Sequence, residues 1–311
     1  MSPGCRETKT HSGDGGTFGK LRRLLSAERD AMSFEDFIRS KAKTPPGENT
    51  VKVYTRAKNA YIGWCSNAHR NPKDDNTIRE YEALMMSKYK PNTLTARFVA
   101  LNWWLQYVGM KDIRFRIPKT TVPENPRLIA PDEYARLLKA VSASGDLKLE
   151  VLVRLCHDSA WRPSDVGLIE PRHVNMAEGF IEKRSLKTRF TARAYLHPDT
   201  IPLLEAYLSG EAPAHYLFET RTGKPADRYW VEKEIHRAGK MADMGDLTPR
   251  VFRRTFATTN QCDTADALIQ GGWSDSRTYF RTYRRSVPER HKAGVMRTWG
   301  VQDEDEPPGY G

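Results

Sequence analysis

TPRVFRRTFAT, Thr248 to Thr258, is the stretch whose reading decides the fold class. Phe252 and Phe256 lie one turn apart and can anchor one face, while Arg250, Arg253 and Arg254 cluster beside them. Such a cluster has two uses: a basic face left in water, or a site for an anion.

Two more segments are basic where a structural segment would be neutral. AWRPSDVGL (Ala160 to Leu168) sets Arg162 at the end of an apolar helix, with Asp165 three residues later. GGWSDSRTYFRTYRR (Gly271 to Arg285) places Tyr279 and Tyr283 four residues apart among Arg277, Arg281, Arg284 and Arg285. Each alone has an ordinary use, as a helix cap or as an aromatic pair with phosphate-gripping arginines.

The whole chain agrees with the basic segments. Its 311 residues carry 50 Lys+Arg against 39 Asp+Glu, a net charge of +11, which favours a polyanionic partner. Length and 39% apolar content suffice for two domains with real cores. No run approaches the ~20 apolar residues of a membrane helix, and the first residues lack the apolar core of a secretory signal. A protein inside the cell, with no membrane partner, is the expectation. Cys5, Cys65, Cys156 and Cys262 are scattered singly, so neither disulfides nor a zinc site is expected.

Along the chain, a flexible arm is expected at 1–28, from its Gly, Ser, Thr and Lys content. A helical domain follows at 29–116. Its clearest stripe is Leu94, Phe98, Leu101, Leu105 and Val108, with Arg97, Asn102 and Gln106 on the opposite side. Three prolines in IPKTTVPENP mark a linker, set at 117–128. A second domain, 129–300, alternates helical patterns with one β-hairpin, Gly179–Glu182 and Thr191–Leu196, joined by a basic tip. Residues 301–311 read as an acidic tail. The expected class is mainly α (α+β): a helical N-terminal domain and a mixed helical domain with a small β-hairpin or sheet.

Taken in order, the basic segments resemble the catalytic domain of the tyrosine recombinase (phage integrase) family. The likeness rests on Arg162-Pro163-Ser164-Asp165 at a helix end, Lys187-Thr188 on the hairpin, and the box Arg250-Val251-Phe252-Arg253-Arg254-Thr255-Phe256-Ala257-Thr258. Gly272-Trp273 and a following tyrosine complete it. The resemblance implies a catalytic set of Arg162, Lys187, Arg250, Arg253, Trp273 and Tyr283, working without metal or other cofactor. Arg162 and Arg253 would hold the phosphate as bidentate forks. Trp273 would donate its indole N–H, Lys187 would protonate the 5′-oxygen, and Asp165 would orient one of these arginines or a neighbouring helix. Lys183, on the same hairpin, is the alternative to Lys187.

Two departures stand out. Arg250 occupies the place where the family usually has His, and a guanidinium cannot act as a base at neutral pH. The family's tyrosine usually lies nine residues after the Trp273 position, which here is Thr282; Tyr283 is one further and Tyr279 three short. Tyr283 is preferred, because its Arg-Thr-Tyr-Arg-Arg context matches the family's and one inserted residue is the smaller change.

The implied partners are double-stranded DNA carrying a specific recombination site and three further copies of the chain, as a homotetramer. The N-terminal domain, with Lys52, Arg56, Lys58, Lys88, Lys90 and Arg97, would be the DNA core-binding half of a clamp. Val295, Met296 and Trp299 would dock on a neighbouring subunit or pack within their own. The implied place is the cytoplasm, on DNA or the nucleoid, for a protein of the sort viruses and mobile elements encode. Two other readings share these residues: a degenerate scaffold that only binds DNA, and a type IB topoisomerase-like enzyme that nicks and reseals.

Overall fold

The computed structural model describes residues 32–42, 45–119, 127–185, 187–210, 215–220 and 222–284. The expected arm at 1–28, the tail at 301–311, most of the linker and the Val295, Met296, Trp299 group lie outside the described residues. The chain divides into two compact units on either side of the Val122–Pro123 bond.

The first unit is helical: α1 (Phe34–Lys41), α2 (Glu48–Asn67), α3 (Asp75–Lys88) and α4 (Pro91–Tyr107). Each start has a local cause. The Ser33 hydroxyl accepts the Asp36 N–H, the Asp74 carboxylate accepts the Thr77 N–H, and Pro91 opens α4. Leu94, Phe98, Leu101 and Leu105 are all buried, as their spacing predicts. Asn102 corrects the expectation for the opposite side of that helix, because it is buried too. Its amide donates to the Phe115 carbonyl at 3.0 Å and accepts the Phe115 N–H at 2.7 Å, so the polar group pins the chain leaving α4. Helix α3 was not anticipated: buried Glu82 interrupts its apolar stripe, and this carboxylate accepts the Arg116 N–H and pairs with Arg79. Tyr61 is the hub of the core, with Tyr81, Phe115 and Trp104 at 4.9, 5.3 and 5.6 Å between ring centroids. Burying such a ring is worth roughly 1.5–3 kcal/mol.

The second unit runs α5 (Pro131–Ala143), α6 (Leu147–Ser159), α7 (Pro163–Val166), β1 (Val174–Asn175), β2 (Phe180–Arg184), β3 (Thr191–Tyr195), α8 (Thr200–Gly210), α9 (Arg228–Met241), α10 (Pro249–Thr259), α11 (Thr264–Gly271) and α12 (Ser276–Thr278). A π-helical turn, Tyr279–Tyr283, follows. Helix α6 is the centre: Val151, Leu152, Val153, Leu155 and Cys156 are buried on almost every side of it, which only an enclosed helix tolerates.

The three strands form one antiparallel sheet in the order β1-β2-β3. Lys183 stands opposite Ala192 and Glu182 opposite Arg193, with which it makes an ion pair at 2.8 Å. The outer flank of β3 meets α11. There the Gln270 side chain accepts the Tyr195 N–H and donates to the Tyr195 carbonyl, both at 2.9 Å. The mainly α architecture with a small sheet is the expected class; β1, two residues long, carries too little alternation to be seen in sequence. Among the described residues no helix is long and apolar enough to cross a membrane.

Candidate active site

Three chain turns converge on Arg253. The first closes α6: Ala160 adopts a left-handed conformation, φ 51°, and delivers Arg162 as the N-terminal cap of α7. A residue with a Cβ held there costs on the order of 1 kcal/mol. The strain aims the Ala160 carbonyl at Arg253, whose Nη1 donates to it.

The second turn closes α11 with two glycines that serve different ends. Gly272 takes the left-handed cap, φ 62°, which glycine adopts without penalty. Gly271 is required by contact: a Cβ there would lie 1.7 Å from Trp273 Cζ3. The carbonyls of this pair hold both arginines. Arg253 Nη1 donates to Gly271 O at 2.5 Å, and Arg162 Nη1 donates to Gly272 O at 3.2 Å.

The third is the π-helical turn. The Arg284 N–H donates to the Tyr279 carbonyl five residues back, at 2.9 Å, instead of four. This widened turn takes in the one-residue excess between Trp273 and the second tyrosine. It separates the two tyrosines. Tyr279 is fully buried, and its hydroxyl donates to Ala257 O at 3.1 Å and accepts from the Asn260 amide at 3.0 Å. Tyr283 is half-buried, with its ring 4.9 Å from the Arg253 guanidinium carbon and 5.5 Å from the Trp273 ring.

Arg253 is 2% exposed, its guanidinium 3.9 Å from the centroid of the Trp273 ring. Burial pushes its pKa down to about 10, helped by Arg162 and opposed by Tyr283, so it stays charged at neutral pH. Its Nε and Nη2 have no hydrogen-bond partner, nor does the buried Trp273 Nε1. An unmet buried donor costs roughly 1–3 kcal/mol, and more on a charged group. The cluster is therefore built with a demand for an acceptor that an anion would meet.

Behind the arginines, Asp165 is buried, 3.8 Å from Arg162 Nη1, and both its oxygens accept from Ser185 Oγ at 3.1 Å. Ser185 sits at the end of β2, so this carboxylate ties the first arginine to the hairpin. The two hairpin lysines part company. Lys187 is exposed in the turn; Lys183 is buried, lining a small cavity with Trp161, Asp165, Ser185, Ala192 and Gly271. Burial holds the Lys183 ammonium below its usual range, against the pull of Asp165 and Glu170. Beside Lys187, the Thr188 hydroxyl is buried without a hydrogen-bond partner.

Of the sequence-predicted set, Arg162, Arg253, Trp273 and Tyr283 come together. Arg250 is exposed on the first turn of α10, and Lys187 is exposed on the hairpin. Sequence reasoning missed the carbonyls of Ala160, Gly271 and Gly272. The paired glycines before Trp273 were their one visible signal. Among the described residues, no group of three or more His, Cys, Asp or Glu is placed to hold a metal ion.

Residues 127–290 match the model of the phage integrase family. Comparison with curated proteins gives no match. Among solved structures the chain is similar to the XerH site-specific recombinase bound to difH substrate in a pre-cleavage complex, at 16% identity and TM-score 0.65, covering 92% of this chain and 90% of that one. It is similar to the Tn1549 transposon integrase in complex with transposon right end DNA, at 14% identity and TM-score 0.65, over 86% of this chain and 100% of that one. A lambda integrase tetramer bound to a Holliday junction gives 15% identity and TM-score 0.64, over 86% and 79%. At such identities the likeness is one of fold.

Proposed function

Because the chain belongs to the phage integrase family, we propose that it is a site-specific DNA recombinase that cleaves and rejoins duplex DNA through a 3′-phosphotyrosyl bond on Tyr283. One observation carries the reading: a buried, charged Arg253 with two unused donors, packed between Tyr283 and Trp273 and beside Arg162. A phosphodiester repels nucleophiles, and fixed positive donors aimed at the pentavalent phosphate relieve that barrier. The Tyr283 oxygen bonds to phosphorus, the bond from phosphorus to the 5′-oxygen breaks, and Lys187 supplies the proton to that oxygen. The phosphotyrosyl link conserves the bond energy, so a second 5′-hydroxyl reverses the step without ATP or metal. DNA is then the partner. The first unit serves as the core-binding half of a clamp, four copies act on two paired sites, and the protein works in the cytoplasm on DNA.

Exposed Arg250 favours the rival reading of a scaffold that only binds DNA. Incubation with fragmented DNA from the protein's own source, denaturation, proteolysis and identification of nucleotide-bearing peptides separates the two. An adduct on Tyr283 is expected, and the attached DNA gives the cleavage site. Salt-sensitive binding with no adduct sinks the enzyme reading.

A further inference from the structure

Resting on the reading of Lys187 as the acid for the leaving 5′-oxygen, we infer that Ser185 is a positioning residue for that proton transfer: its hydroxyl, bound to Asp165, moors the hairpin turn that carries Lys187 to the helix that carries Arg162. Ser185 is buried where β2 ends, and its backbone closes the turn from both sides. Its N–H donates to the Phe190 carbonyl, and its own carbonyl accepts the Arg189 N–H, both at 2.9 Å. The Arg184 guanidinium adds a bond to the Arg189 carbonyl at 2.9 Å, and Arg189 is held left-handed, φ 54°. Whatever fixes Ser185 therefore fixes the base of the turn on which Lys187 sits, two residues on.

The side chain supplies that fixing. Its hydroxyl donates to both oxygens of Asp165 at 3.1 Å, and Asp165 is buried on α7 with its Oδ2 3.8 Å from Arg162 Nη1. A hydroxyl bond to a carboxylate that has lost its water is a strong one. Arg162 has a separate hold, on the Gly272 carbonyl at 3.2 Å. Loss of the Ser185 hydroxyl therefore releases the hairpin end of the link, while the arginine end keeps a support of its own.

The two ends serve different parts of one step. As the Tyr283 oxygen bonds to phosphorus, the bond from phosphorus to the 5′-oxygen breaks and leaves its electron pair on that oxygen. The Lys187 ammonium gives this oxygen a proton and becomes an amine. A donor displaced by about 1 Å loses much of such a transfer, whereas the phosphate stays in the grip of Arg162 and Arg253.

The test compares two duplexes bearing the site recovered from the covalent adduct, one natural and one with sulfur in place of the bridging 5′-oxygen at the cleaved phosphate. A thiolate leaves without a proton, so the second duplex does not need the lysine. In single-turnover cleavage by the full chain at saturating concentration, Ser185→Ala is expected to slow the natural duplex about tenfold to a hundredfold and the sulfur duplex less than about threefold. Ser185→Thr, which keeps the hydroxyl, is expected to match the unaltered chain on both. Equal slowing of both duplexes by Ser185→Ala would place the effect on the phosphate or on folding and overturn the inference. Unchanged cleavage of the natural duplex would overturn it too, as would a Ser185→Thr chain as selectively slow as Ser185→Ala. The parent reading is checked apart: a Lys187→Met chain that sulfur does not rescue removes Lys187 as the acid, and an unaltered chain that forms no Tyr283 adduct removes the enzyme reading.

Discussion

Arg253 owes its place to two carbonyls and one indole ring, and each can be removed separately. In Gly271→Ala the new methyl group collides with Trp273, which must leave Arg253 or push α11 aside. Overpacking of this sort costs about 1–3 kcal/mol, and covalent adduct should fall well beyond what the lower melting temperature explains. Normal adduct yield in a destabilised Gly271→Ala would show that the ring is not what positions the arginine. The tyrosines make a second contrast. Tyr283→Phe should retain DNA binding and form no adduct on a denaturing gel. Tyr279→Phe should retain the adduct and lose about 1 kcal/mol of stability, because its hydroxyl serves two internal hydrogen bonds. The family resemblance singled out Arg162, Arg253, Trp273 and Tyr283, and the fold brings these four together. Ala160 was not legible, since an alanine after an apolar helix looks like more helix and only the fold forces it left-handed.

At the scale of elements, the π-helical turn explains a spacing that looks wrong in one dimension. The excess residue does not displace the tyrosine from Arg253; it widens the turn behind it. Deleting Thr282 should therefore let an ordinary α-turn form and bring the tyrosine to nine residues after Trp273. Adduct formation should survive within about tenfold, and a null result in that deletion would mean the widened turn itself aims the ring. The longer helices and the hairpin were readable from periodicity, but α3 and α11 were not. Buried Glu82 masks the apolar stripe of the first, and the second is eight residues long with Ala267 and Gly271 as its buried positions. A buried carboxylate that caps a departing backbone and a glycine chosen for contact both invert the hydrophobicity rule that sequence reading relies on.

For the whole molecule, each unit owns its core. The Tyr61 cluster ends at Phe115, and the α6 cluster begins at Ile129. Both ends of the join are fastened to their own unit. Asn102 and Glu82 grip Phe115 and Arg116, while Arg127 pairs with Glu133 and Asp246, and the Ile129 N–H donates to Thr255 on α10. Fragments 1–122 and 123–311 should each fold alone, with cooperative thermal transitions by circular dichroism. A fragment 1–122 lacking a transition would show that its core depends on the second unit. On DNA, the full chain should show a steeper fall of log K with log salt than fragment 123–311, because each phosphate contact adds about −0.9 to the slope. The prolines of 117–128 are visible in the sequence; the fastenings are not, because they join residues up to 126 positions apart.

The outer flank of β3 shows how economically this architecture is closed. Instead of a fourth strand, one amide, Gln270, occupies both hydrogen-bonding groups of Tyr195 and so stoppers a ladder that could otherwise zip onto another chain. The stopper is the residue immediately before Gly271 and Gly272. Any strand that added itself at this rung would have to evict Gln270 and tug on the two carbonyls that hold Arg253 and Arg162, so self-association along this edge would register at the two arginines.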